Sequence, residues 1–248
     1  MRRILLIIAY KGTNYCGWQK QNNAITIEET LNKALENLFK DKISVIGASR
    51  TDAGVHAKGN VAVFDTENMT IKAEKIAYAL NARLPEDIRV QESREVSLDF
   101  HPRYDKNRKI YSYKILNNPI EMPIYKEYTY HVYGSISVEQ MRQAAKYLIG
   151  EHDFKSFCSV NTQVESTVRT IYNISITKNE DNIISIDIEG NGFLYNMVRI
   201  IVGTLLQVGI GKMGVDEVKT ILESKDRNNA GPTAPAKGLI LDWIQYNR

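Results

Sequence analysis

The sequence predicts an α+β chain of two ferredoxin-like halves, each with strands and helices in the order β-α-β-β-α-β. Three observations predict it. Apolar periodicity switches between strand and helix spacing along the chain, and the order of elements repeats in the second half. Between the two, Phe100-His101-Pro102-Arg103 interrupts the pattern. The halves are therefore set at residues 1–103 and 104–248, as mixed or antiparallel sheets with helices packed on one side.

The first half opens with a strand at 2–10, an apolar run that Tyr10 and Lys11 bring to a stop. A glycine-containing loop leads to a helix at 27–40. Thr26 and Glu29 have capping-box spacing there, and Ile27, Leu31, Ala34, Leu35, Leu38 and Phe39 form its apolar stripe. A strand at 43–49, a sharp turn at Asp52 to Gly54 and a strand at 59–65 follow. A helix at 71–83 and a strand at 87–97 complete the half.

The second half begins with a strand at 108–116 and an irregular stretch holding a short strand at 127–132. Its helix at 138–149 starts behind Ser137 and Gln140, again at capping-box spacing. Strands at 168–178 and 183–190 flank the polar turn at 179–182, a hairpin signal. Helices at 194–208 and 215–223 and a strand at 239–246 close it.

Composition narrows the functional classes. The chain has 248 residues, 43% apolar and 25% charged, enough for a full core. Its net charge of +3 is too small to identify a nucleic-acid partner without a local concentration of cations. The N-terminal apolar run at 4–9 is shorter than the roughly seven to fifteen residues of a secretory core. The run at 194–208 contains Asn196, Arg199 and Gln207 and falls short of the roughly 20 apolar residues a bilayer needs. A cytoplasmic protein with no membrane span is expected, and Cys16 and Cys158 are expected to be thiols. The four histidines show no paired-ligand spacing, so no metal site is expected.

Three places depart from local expectation. In Ser49-Arg50-Thr51-Asp52-Ala53-Gly54-Val55-His56, turn chemistry accounts for Asp52 and Gly54. It does not account for Arg50, two positions from Asp52 and suited to keep a carboxylate ionised for nucleophilic or base chemistry. Arg199 lies in a helix apolar almost all round, where a guanidinium needs a carboxylate, a phosphate or a wet cleft. Both a structural ion pair and a partnership with Asp52 across a cleft between the halves satisfy it. The segment from Phe100 to Lys114 carries Arg103, Lys106, Arg108, Lys109 and Lys114 against the single acid Asp105. Phe100, Tyr104, Tyr111 and Tyr113 are interleaved with these cations, as on an RNA-contacting surface, although β-strands are ordinarily rich in tyrosine.

Arg50-Thr51-Asp52-Ala53-Gly54-Val55-His56 resembles the signature loop of the tRNA pseudouridine synthase A family. Four more stretches are similar in the same order. They are Gly12-Thr13-Asn14-Tyr15-Cys16-Gly17-Trp18-Gln19, Lys109-Ile110-Tyr111-Ser112-Tyr113, Gly150-Glu151-His152-Asp153-Phe154-Lys155-Ser156-Phe157, and the run from Phe193 through Arg199 to Gly203. Ala236-Lys237-Gly238-Leu239 also fits, so the resemblance spans the chain. Lys11 departs from it, standing where the family usually has an acid, at a position that bears on substrate handling rather than on the reaction.

The resemblance implies a homodimer of two-lobed subunits, each with a central cleft that binds RNA. It also implies conversion of uridine to pseudouridine in the anticodon stem-loop of tRNA, at positions 38, 39 and 40, with no cofactor and no metal. By motif position Asp52 takes the place of the catalytic aspartate and Tyr111 that of the base-stacking tyrosine, while Arg50 and Arg199 are the substrate-binding arginines of the active site. Two rivals stand beside this reading. A non-catalytic RNA-binding protein with paired ferredoxin-like lobes leaves Asp52 unexplained, because an acid facing RNA repels phosphate. A glycosidase usually needs two carboxylates about 5–10 Å apart, and no second acid stands near Asp52 in the sequence.

Overall fold

The computed structural model describes residues 1–159 and 165–246. The chain divides into two compact units, one of residues 1–107 with the chain from Ile240 onward, the other of Arg108–Leu239. Both are α+β, as expected.

The first unit contains, in order, β1 (Arg2–Tyr10), α1 (Ile27–Phe39), β2 (Ile46–Gly47), β3 (His56–Thr66), α2 (Ile76–Asn81) and β4 (Ile88–Val96). β1 lies between β4 and β3, antiparallel to both, and β2 runs antiparallel to β3. The order β4-β1-β3-β2 is that of the split βαβ arrangement. The apolar run of β1 is buried from Ile4 to Ile8, with Ile4, Leu6 and Ile8 fully sealed. Thr26 Oγ1 accepts the Glu29 amide at 3.3 Å, which opens α1, but the Glu29 carboxylate pairs with Lys33 instead of closing the capping box. The strand expected at 43–49 shrinks to Ile46–Gly47, because the Val45 amide donates to Asn32 Oδ1 of α1 at 2.9 Å. The helix expected at 71–83 begins as a 3-10 turn and is stitched to β4 by buried Ser93. That hydroxyl donates to the Ala73 carbonyl and accepts the Ala77 amide.

The second unit holds β5 (Asn107–Leu116), β6 (Tyr130–His131), α3 (Val138–Ala145), β7 (Gly150–Asp153), β8 (Val168–Lys178), β9 (Ile183–Gly190), α4 (Met197–Gly209) and α5 (Glu217–Ser224). Its strands are ordered β5-β9-β8-β7, all antiparallel neighbours, with β6 parallel to β5. β7 was not expected, since Gly150-Glu151-His152-Asp153 is polar and carries no apolar alternation. α4 is the buried helix its composition predicts. The chain at 231–234 packs against it so closely that a Cβ on Gly203 would lie 1.7 Å from the Pro232 carbonyl oxygen.

β10 (Leu239–Tyr246), which the repeat assigns to the second half, lies from Ile240 onward in the first unit. It runs parallel to β3, pairing Ile240 with His56 and Leu241 with Ala57. The Tyr246 hydroxyl donates to the Pro102 carbonyl at 2.7 Å, and its ring meets Phe100 edge-on. Among the described residues no helix is long and apolar enough to cross a membrane.

Candidate functional site

Asp52 occupies the connection between β2 and β3, where the chain reverses in a tight turn. The Val55 amide donates to the Asp52 carbonyl at 3.1 Å, and Gly54 takes a φ of +78°, a region open to glycine. The residues on either side are unequal. Ser49, Thr51, Val55 and His56 are buried, Arg50 and Ala53 are exposed, and Asp52 is partly exposed. The turn thus projects its acid while anchoring its flanks.

Two sets of contacts anchor it. On one side the loop at 11–18, part of the second motif found in the sequence, wraps the turn. The Trp18 amide donates to the Thr51 carbonyl at 3.0 Å, and the Gly54 amide donates to the Tyr15 carbonyl at 3.3 Å. A Cβ on Gly17 would lie 2.6 Å from the Thr51 oxygen, and one on Gly12 would lie 2.0 Å from the Val55 oxygen. His56 Nδ1 accepts the Gly12 amide at 3.1 Å, fixing the loop to the start of β3. The Tyr15 hydroxyl donates to Asp87 at 2.5 Å, and burial together with that carboxylate pushes its phenol pKa up. On the other side are buried polar groups of β1 and β3. The Tyr10 and Thr51 hydroxyls share a hydrogen bond of 2.7 Å. Asn60 Nδ2 donates to Tyr10 Oη at 3.3 Å and to the Ser49 carbonyl at 3.1 Å.

Arg103 stands beside this loop and donates to the Gly47 carbonyl at 3.1 Å. Burial pulls its pKa down, and the nearby positive charge of Arg50 adds to the effect. Two guanidiniums close enough to repel favour an anion in their vicinity. Sequence reasoning placed Arg103 only in a basic segment. The pairing with Arg50 comes from the fold.

Tyr111 and Arg199 belong to the second unit, Arg50 and Asp52 to the first. Tyr111 is buried on β5, its ring edge-on to Phe193 at 5.2 Å between centroids. Arg199 projects from the first turn of α4. Its Nε donates to the Ala234 carbonyl at 2.7 Å and its Nη1 to Asn196 Oδ1 at 2.8 Å. Asn196, in a left-handed conformation at φ 61°, opens the helix and so places that acceptor. Both acceptors are neutral, so these two bonds aim the guanidinium without cancelling its charge. Tyr113 is sealed below, donating to the Pro235 carbonyl at 2.7 Å, and burial pushes its pKa up.

The fourth motif, Gly150 to Phe157, proves to be structural in its contacts. Asp153 accepts the Thr167 hydroxyl at 2.5 Å and pairs with Lys225 at 3.1 Å, while Phe154 and Phe157 are fully buried. Among the described residues no group of three or more His, Cys, Asp or Glu could hold a metal ion.

Comparison with known proteins gives these residues their context. The model of the tRNA pseudouridine synthase family matches residues 6–105 and 144–247. A protein of Thermoanaerobacter sp. (strain X514) named tRNA pseudouridine synthase A is 52% identical over 99% of this chain and 100% of its own length. Proteins of the same name from Acetivibrio thermocellus and Clostridium acetobutylicum are 50% and 48% identical, with the same coverage of both chains.

Proposed function

Because the chain belongs to the tRNA pseudouridine synthase family, and so isomerises uridine to pseudouridine in tRNA, we propose that Asp52 is its catalytic carboxylate. The observation that carries this reading is the turn itself. It is a partly exposed acid on a loop locked by buried groups, inside a stretch the family model matches. We assign the substrate as the anticodon stem-loop, at uridines 38, 39 and 40, acted on in the cytoplasm by a homodimer. Exposed Tyr104 and Lys106, in the basic segment from Phe100 to Lys114, suit unstacked bases and phosphates.

The reaction breaks the N1–C1′ bond, turns the uracil and joins C5 to C1′. It is an isomerisation with no net redox change and no energy input, so it calls for no cofactor. The target base must first leave its stack. Arg50 steadies the everted nucleotide through its phosphate, and Tyr111 stacks on the base. Asp52 acts either on C1′ as a nucleophile or on the 2′ proton as a base, and both routes require the ionised form. Arg199, held by the Ala234 carbonyl and Asn196 Oδ1, offers its guanidinium to the RNA as a substrate-binding group. The C5 proton then passes to Tyr111, directly or through water, as a proton is delivered to N1, the nitrogen freed from C1′, so that no proton is gained or lost overall.

Asp52→Asn is expected to abolish pseudouridine formation in an anticodon stem-loop transcript while leaving RNA affinity within about twofold. Substantial residual turnover would sink the assignment. Tyr111→Phe keeps the ring and removes the hydroxyl; unchanged turnover in that variant would leave Tyr111 with stacking alone.

A further inference from the structure

The geometry points to Tyr10 as a positioning residue, whose hydroxyl holds Thr51 and so aims the adjoining Asp52; this rests on Asp52 being the catalytic carboxylate. Tyr10, Thr51 and Asn60 are all buried, at 4%, 7% and 0% exposure. In such surroundings an unmade hydrogen bond is costly and a made one is strong. Asn60 Nδ2 donates to Tyr10 Oη, and the Tyr10 and Thr51 hydroxyls share a hydrogen bond of 2.7 Å. The second Nδ2 hydrogen serves the Ser49 carbonyl, and Asn60 Oδ1 accepts the Val61 amide at 2.9 Å. Asn60 therefore cannot rotate without losing several bonds, and it helps hold the Tyr10 oxygen in place beside Thr51.

The strands are shaped for this arrangement. Between the pairs Ile8–Asn60 and Tyr10–Ala57, β3 carries one residue more than β1. Such a bulge re-aims side chains and is common beside active sites. Tyr10 ends the apolar run of β1, with its ring packed 6.1 Å from that of Trp18. Trp18 itself donates its amide to the Thr51 carbonyl. Thr51 is thus gripped at its side chain by β1 and at its backbone by the loop at 11–18. Asp52 is the next residue, and its carboxylate inherits whatever freedom Thr51 has.

The test separates aim from stability. Tyr10→Phe keeps the ring and its packing, and Thr51→Val keeps the shape of its side chain; each breaks the same hydroxyl pair. Both are expected to lower kcat about tenfold or more, since misplacement near 1 Å can cost about 100-fold, with KM and tRNA affinity within about twofold. Because the bond lost in Thr51→Val is also lost in Tyr10→Phe, the double variant should be no slower than the slower single, and Thr51→Ser should restore most of kcat. An unchanged kcat in Tyr10→Phe, or multiplying effects in the double variant, would overturn the proposal. So would a change in KM alone. Asp52→Asn, measured in parallel, separates this from the wider reading: if Asp52→Asn keeps its turnover, the catalytic assignment itself has failed.

Discussion

Arg199 reconciles a permanent charge with a helix whose other faces are sealed, and it does so with directional bonds. The Ala234 carbonyl and Asn196 Oδ1 hold two edges of the guanidinium. Leucine would fill much of the same volume and strand both acceptors, a loss of about 1–3 kcal/mol for each that stays buried. Arg199→Leu is nevertheless expected to reduce turnover by far more than the shift in its urea midpoint accounts for. If the folded fraction alone explains the lost activity, the arginine is structural. Asp52, Arg50 and Arg199 were legible in the sequence because each strains a local rule or sits in a distinctive motif. Tyr10 and Asn60 were not. A tyrosine closing an apolar strand looks like a boundary, and the trace of Asn60 is an amide within the nearly continuous buried run of β3. Their partners lie 41 and 11 residues away in sequence, which no periodicity reveals.

The loop at 11–18 illustrates what elements without regular structure contribute. Its motif was visible, yet its role was not, because the two hydrogen bonds it makes to residues 51 and 54 of the turn run between backbone groups, which any residue types could supply. What restricts the residue types is space. Gly17 combines a φ of +85° with an approach in which a Cβ would lie 2.6 Å from the Thr51 oxygen and 3.1 Å from the Ala53 amide nitrogen. Gly17→Ala is therefore expected to cost about 1–3 kcal/mol in backbone strain and to displace the Asp52 turn. The measurable outcome is a fall in kcat at near-constant tRNA affinity in protein that remains folded. Wild-type kcat in that variant would show that the turn does not depend on the loop. Elsewhere the hairpin strands β8 and β9 match their expected bounds because alternation and the polar turn both mark them, and β1 and β10 match theirs as well. The strand at 43–49 was overestimated because a side-chain amide from α1, not a neighbouring strand, satisfies Val45.

Each unit carries a carboxylate that acid would release. In the first, Arg3 donates to both oxygens of Asp65 at 2.7 Å and holds its pKa below the ordinary carboxylate range. In the second, the Thr167 hydroxyl, Lys225 and the Lys155 amide do the same for Asp153. A depressed folded-state pKa means stability that is fully present above the unfolded value of about 4. It is lost as pH falls through the depressed value. Replacing both acids by Asn should therefore lower the denaturation midpoint near neutrality, with the gap to the unsubstituted protein closing on acidification. A gap independent of pH would show that packing, not charge, made the difference. The connectivity of the units has a consequence for the order of events during synthesis. A ribosome delivers β3 early, but β10, which pairs with its first residues His56 and Ala57, emerges only after all of 108–239. The strand edge next to the Asp52 turn is completed only after the whole of the second unit has been made, although the turn itself precedes that unit on the nascent chain.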